Sequence, residues 1–358
     1  MNSRIAKVVD LFCGVGGLTH GLIKSGLHVS AGFDSDKTCK YAYEANNVNE
    51  DGTRVHFVSS DVSLIDSRDI SSYLENAKIR VLVGCAPCQP FSNHQKEISM
   101  IENHDKWGLL NSFIAHINNL HPEIVSMENV SNIVNHDIFF DFINQLEQEG
   151  YYVNYKVVNA ADYGVPQRRR RLILLASKFG DIELMKPTHF GDHITLWDAI
   201  GHLSKIGAGE ENASDRLHTA SKLNDINLER IRNSVPGGTW RDWPRNILPH
   251  CYRRDSGKTY SSVYGRMEWN KVSPTLTTQF ILYGTGRFGH PEQDRAVTIR
   301  EGALLQTFPK EYSFVEEGDT VLRTVLARQI GNAVPVKLGE VVGKSIINHI
   351  NDHVGGMS

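Results

Sequence analysis

The sequence predicts an open α/β sheet followed by a smaller and less regular lobe, on three observations. Short runs dense in Val, Ile and Phe alternate with longer amphipathic runs through the first half of the chain, the pattern of strands joined by crossover helices. A cluster of glycines, Gly14, Gly16 and Gly17, stands directly after the first short run, where such a fold turns from strand to helix. From Lys186 to about Tyr312 the periodicity weakens, and Pro, Gly, Trp and Arg become prominent.

Residues 6–12, 29–33, 55–59, 81–85 and 124–127 read as strands, each too short for a helix and rich in β-branched or aromatic side chains. A helix over 109–120 follows from Leu109, Leu110, Phe113, Ile114, Ile117 and Leu120, which share one face at the helical period. A second, over 137–149, stacks Ile138, Phe139, Phe142, Ile143 and Leu146 and stops at Gly150. Residues 152–158 and 171–177 are two further strands, so the sheet closes near residue 178. The last helix, 336–350, carries Leu338, Val341, Val342, Ile346 and Ile347 on one face and is expected to pack back on the first sheet. The predicted domains are 1–185 plus 320–358, and 186–319.

Bulk properties narrow the class. With 40% hydrophobic and 22% charged residues the chain has the composition of a globular protein rather than a disordered one. A net charge of −3 gives no general attraction to a polyanion, so nucleic acid would have to be held by a local basic surface. No apolar stretch approaches the roughly 18 to 20 residues that span a bilayer, and no signal-peptide pattern precedes the first strand. The expectation is a cytoplasmic protein. Cys13, Cys39, Cys85, Cys88 and Cys251 are odd in number and irregularly spaced, which points to reduced thiols rather than a disulfide framework.

The turn from Asp10 to Gly17 lets backbone approach a ligand and aims the amides of a helix N-terminus at it. Asp34 ends the second strand, where a carboxylate can bind ribose hydroxyls. A dinucleotide fingerprint would place glycine at position 19, and Thr19 stands there, which favours a nucleoside cofactor over a pyrophosphate one. Asp61, after the third strand, is a candidate acceptor for an adenine amino group.

Cys88 follows the fourth strand on a loop at the carboxyl edge of the sheet, the edge at which open α/β folds bind ligands. Glu128 ends the fifth strand at the same edge, so a thiol and a carboxylate face one crevice. In the run Gln167-Arg168-Arg169-Arg170-Arg171, strand alternation sends Arg169 and Arg171 to one side, and that pair can enter the site. A free thiol has a pKa of about 8.5, so the site must depress it or deprotonate the thiol when substrate binds.

Together with Gly108-Leu109-Leu110, Arg266, the run Ser273-Pro274-Thr275-Leu276-Thr277-Thr278 and the run from Gln329 to Pro335, these motifs resemble the DNA cytosine-5 methyltransferases of prokaryotic restriction-modification type. The likeness holds in motif order from Asp10 nearly to the C-terminus. Residues 186–263 alone lack a general family motif, and there the family keeps its variable target-recognition region. The resemblance implies a Rossmann-like S-adenosylmethionine-dependent methyltransferase sheet with a smaller, irregular target-recognition domain. It implies S-adenosylmethionine as methyl donor, S-adenosylhomocysteine as product, no metal, double-stranded DNA as partner and a monomer; a companion restriction endonuclease acting separately fits, and a solitary or a phage-borne enzyme would look alike in sequence.

The resemblance also assigns roles. Cys88 would attack C6 of a flipped cytosine while Glu128 hydrogen-bonds and protonates N3, a soft nucleophile for conjugate addition with an acid to absorb the developing charge; Arg169 would bind O2, and Arg171 belongs to the same catalytic set. Phe12, Gly14, Gly16, Gly17, Asp34, Ser35, Asp61, Val62, Pro87, Leu110, Asn332 and Ala333 would form the cofactor pocket, Ser35 standing where many relatives stack a large side chain on adenine. Gln89, Ser92, His94 and Gln95 would close over DNA, joined by Gln167, Trp240, Arg241, Arg245, Arg253, Arg266 and Thr277. Because the target carbon is stacked in a duplex, the base must swing out, at a cost of a few kcal/mol.

Competing interpretations fit less well. Cys85 and Cys88 have metal-pair spacing, but no second Cys or His pair has the spacing of a structural zinc site. An RNA enzyme of the same family should carry a Cys-Phe-Thr signature in the smaller lobe, and none is there. An inert binding relative should have lost Cys88, Glu128 or the glycine turn, and a nicotinamide dehydrogenase should have the third glycine.

Overall fold

The computed structural model describes residues 6–87, 108–254 and 262–354. The expected α/β sheet is there, with seven strands: β1 (Ala6–Leu11), β2 (His28–Asp34), β3 (His56–Ser59), β4 (Ile79–Gly84), β5 (Ile124–Val130), β6 (Tyr152–Asn159) and β7 (Arg170–Ser177). Their order is β3-β2-β1-β4-β5-β7-β6. Strands β1 to β5 are parallel, each reached by a crossover long enough to return the chain to the same end of the sheet. β7 runs antiparallel between β5 and β6, because the short connection from β6 to β7 reverses the chain instead of carrying it back over the sheet. The order turns back at β1 and β4, and a doubly wound sheet opens a crevice at the carboxyl ends of its strands at such a point.

The helices of this sheet are α1 (Gly17–Lys24), α2 (Lys40–Asn46), α3 (Ser67–Tyr73), α4 (Gly108–Leu120) and α5 (Asp137–Gln148). The stripe foreseen on α4 is buried at Leu110, Phe113, Ile114, Ile117 and Leu120, and that on α5 at Phe139, Phe142, Ile143 and Leu146. Phe113 and Phe142 stack with ring centroids 5.9 Å apart, locking the two helices on the sheet. At 1.5–3 kcal/mol for each fully buried large apolar side chain, one such stripe contributes on the order of 10 kcal/mol before ordering costs are subtracted.

Two compact units divide the chain. The first comprises Met1–Tyr163, Arg170–Thr188 and Ala333–Ser358. Its last helix (Val336–Val354) lies against α1 at very short range. A Cβ on Gly21 would fall 2.3 Å from the carbonyl oxygen of Val336, and one on Gly343 would fall 2.1 Å from Ser25 Oγ. Glycine at these positions lets the two backbones approach, so the main neighbour of the last helix is α1.

The second unit comprises Gly164–Arg169 and His189–Asn332. It holds α6 (Leu196–Ile200), the two-stranded sheet of β8 (Glu211–Asn212) and β9 (Asp215–Thr219), α7 (Asp225–Arg232), α8 (Ile299–Leu305) and α9 (Arg323–Asn332), with long irregular segments between them. Aromatic side chains compensate for the lack of regular layers: Trp240, Trp243 and Tyr283 are buried with Ile231, Ile247 and Ala296. The indole N–H of Trp243 donates to Ser234 Oγ at 2.8 Å, so the buried ring leaves no polar atom stranded. Among the described residues, no helix is long and apolar enough to cross a membrane.

Candidate functional site

The chain leaves β1 through a tight turn in which Phe12, Gly14 and Gly16 all take positive φ, at 62°, 52° and 85°. Phe12 pays for that conformation with strain on the order of 1–3 kcal/mol, which the surrounding structure must hold. The amide of Gly14 donates to Asp34 Oδ2 at 2.8 Å, and that of Asp36 to Asp34 Oδ1 at 2.8 Å. Asp34 therefore ties the end of β2 to the glycine turn. Among the described residues, no atom beyond its own chain neighbours lies within 4 Å of where a Cβ on Gly14 would stand, so the turn has an open side. Gly16 caps α1, whose first residue is Gly17.

Beneath the turn Asp10 is 1% exposed, accepting from Thr19 Oγ1 at 2.6 Å, and the Tyr43 hydroxyl is 2.9 Å from that same oxygen. Burial pushes the Asp10 carboxyl up to about 7, against the Thr19 hydrogen bond and with help from the charge of Asp34. Thr19, which departs from the dinucleotide pattern, is thus the hydroxyl that satisfies a buried acid. A carboxylate inside the apolar run of β1 was a signal of this arrangement, but its partners come from α1 and α2.

The other expected cofactor residues of the first unit divide by exposure. Asp61 and Ser35 are exposed, Asp61 accepting from the amide of Ser63 at 2.9 Å and from its hydroxyl at 2.7 Å, bonds that hold its carboxyl below the usual range. Val62 and Leu110 are buried in the core, and Pro87 is exposed after β4. Ala333 is half-buried, whereas Asn332 is exposed at the end of α9 in the second unit.

Glu128 is 4% exposed near the carboxyl end of β5. The antiparallel register sets Arg171 opposite Val130, and alternation puts its side chain on the face of Glu128. Arg171 Nε is 2.9 Å from Glu128 Oε1, and the thiol of Cys85 donates to Glu128 Oε2 at 2.8 Å. Asn129 Nδ2 donates to the carbonyl of Ala86 at 3.2 Å, bracing the segment that leaves β4. The sequence singled out Glu128 and Arg171 but gave Cys85 no part in this site.

Arg169 is buried in the second unit, its Nη1 3.4 Å from the carbonyl of Leu276, while Arg168 and Arg170 are exposed, so the alternation of the arginine run holds. Gln167 is fully buried: its amide donates to Gln306 Oε1 at 2.9 Å and accepts from the Leu276 amide at 3.0 Å. Thr277 is exposed, and its carbonyl lies against Gly331, where a Cβ would come within 2.4 Å.

Of the residues expected to meet DNA, Arg241, Arg245 and Arg253 are exposed. Trp240 and Arg266 are instead part of the interior of the second unit. Trp240 stacks on Tyr252 with centroids 4.6 Å apart. The guanidinium of Arg266 donates to the carbonyls of Ile231, His290 and Gln293 and pairs with Asp294. Cys88, Gln89, Ser92, His94 and Gln95 lie outside the described residues.

Residues 6–348 match the family model described as C-5 cytosine-specific DNA methylase. Type II methylase M.HgiDII of Herpetosiphon aurantiacus is 51% identical over 346 residues, covering 96% of this chain and 95% of that protein. Type II methyltransferase M.PspPI of Psychrobacter sp. is 31% identical over 362 residues, covering 98% of this chain and 80% of that protein. Among solved structures, a prophage-encoded protein of Escherichia coli shares the fold with a TM-score of 0.73 at 23% identity, covering 97% of this chain and 99% of that one.

Proposed function

The chain belongs to the C-5 cytosine-specific DNA methylase family and is a DNA cytosine-5 methyltransferase, and from that premise we propose that it works through a covalent bond between Cys88 and a flipped cytosine. The observation that carries this proposal is the buried carboxyl of Glu128, held between Arg171 and Cys85 beside the strand end from which the Cys88 segment departs. An acid fixed at that place is what addition to a pyrimidine requires.

The thiolate of Cys88 adds to C6 of the cytosine, forming the S–C6 bond, as Glu128 gives a proton to N3. The ring electrons then gather at C5, which takes the methyl group. The C5 proton leaves to a base or an ordered water, the S–C6 bond breaks, and N3 returns its proton to Glu128. Arg169 holds the cytosine O2, and Arg171 keeps the Glu128 carboxyl in place. Bound S-adenosylmethionine supplies the methyl group as an electrophile and leaves as S-adenosylhomocysteine.

The glycine turn fits that donor. Its open side at Gly14 offers room and backbone amides, the tied carboxylate of Asp34 stands ready for ribose hydroxyls, and the exposed Asp61 and Ser35 suit the adenine end. In the second unit the exposed Arg241, Arg245 and Arg253 contact phosphates, with the guanidinium of Arg241 over the ring of buried Trp240. The enzyme acts as a monomer on double-stranded DNA in the cytoplasm, beside a restriction endonuclease that works separately.

Expressing the chain in a host without cytosine methylation and sequencing 5-methylcytosine in its DNA tests this directly. Methylation confined to one sequence context, and abolished by Cys88→Ala, is expected. Methylation that survives in Cys88→Ala would overturn the proposal.

A further inference from the structure

Cys85 has no part in the reaction set out above, yet it touches the acid. Its amide donates to the carbonyl of Leu11 at 3.2 Å, which pins the end of β4 to β1, and its thiol donates to Glu128 Oε2 at 2.8 Å. Arg171 forms an ion pair with the other oxygen, Oε1, at 2.9 Å, an oxygen that receives no hydrogen bond among the described residues. The last torsion of a glutamate is broad and roughly two-fold, so an ion pair at one oxygen leaves the carboxyl plane free to pivot, whereas a hydrogen-bond donor at the second oxygen fixes that plane as well. Burial strengthens the constraint, because at 4% exposure water cannot replace a lost partner without cost.

We propose that Cys85 is a positioning residue, whose S–H group orients the Glu128 carboxyl for proton exchange with the cytosine ring. This inference rests on the role given to Glu128 above. A residue that acts only through Glu128 should change the rate of the chemical step, leave the affinities for cofactor and DNA alone, and lose its effect when Glu128 can no longer act as an acid.

Steady-state methyl transfer by the full-length enzyme, with S-adenosylmethionine and a duplex containing its target, separates these possibilities in Cys85→Ala, Cys85→Ser, Glu128→Gln and the double variant Cys85→Ala with Glu128→Gln. Cys85→Ala is expected to lower kcat about tenfold, the size of one misdirected hydrogen bond in the transition state, with both KM values within about twofold of the parent. Cys85→Ser keeps a donor and should recover most of the rate, and Cys85→Ala should cost little more once Glu128→Gln is present. A parental kcat in Cys85→Ala, no recovery with serine, or independent losses that multiply in the double variant would each overturn the inference. A parental kcat in Glu128→Gln would strike the role of Glu128 itself, and the inference with it.

Discussion

Asp10 illustrates how much a single position can carry. It lies among the apolar residues of β1, with Oδ2 satisfied by Thr19 and Oδ1 without a hydrogen-bond partner among the described residues. Burial lifts its pKa from an ordinary 3.8 to about 7. Between those values the native state holds a proton that the unfolded chain has lost, so stability falls as pH rises through the window and levels off above it. Asp10→Asn keeps the size and an acceptor for Thr19 but removes the charge. Its stability relative to the parent should therefore rise with pH by about 1.4 kcal/mol per unit across the window. Urea unfolding at pH 5 and pH 8 measures this, and a difference unchanged between the two would show that Asp10 titrates normally. Residues of this kind were hard to find in the sequence. Cys88, Glu128 and Asp34 stand in recognisable motifs, whereas Thr19 and Tyr43 meet Asp10 only once α1 and α2 have folded. Trp240 and Arg266 show the converse limit: aromatic and cationic side chains in an irregular segment look alike whether they face water or, as here, fill a core.

At the scale of elements, legibility followed length and period. The strands and the two amphipathic helices α4 and α5 were readable because their apolar residues repeat, and their buried faces are those the repeat specified. The helices α2 and α3 have seven residues each, about two turns, with too few apolar positions to show a period. Strand order and the reversed direction of β7 depend on pairing across the sheet, which no local pattern encodes. The contact of the last helix with α1 depends on glycines whose purpose is visible only in space. Gly21→Ala should push a methyl group into the carbonyl of Val336 and cost about 1–3 kcal/mol, whereas Gly108→Ala, with no atom of the described residues near its Cβ position and at the start of a helix, should be neutral or slightly stabilising. Melting temperatures decide between them; equal values would mean that the two helices do not need this close approach.

For the molecule as a whole, the sequence announced an open α/β sheet by alternation, and that sheet is present. What made function legible was a different kind of signal: glycine turn, thiol, carboxylate and arginine run placed in order at strand ends, where an α/β sheet gathers its chemistry. A target sequence is not legible in this way, because base readout is set by side-chain placement in space rather than by motif order. The proposed chemistry turns on one bond, from the sulfur of residue 88 to ring carbon 6 of the target base. A duplex carrying 5-fluorocytosine at the methylated position tests it, since fluorine cannot depart as a proton does and the adduct cannot be released. Incubation with S-adenosylmethionine should give a denaturation-resistant protein–DNA complex whose digestion places the attachment at Cys88. No covalent complex, or one formed through another residue, would contradict the proposed chemistry.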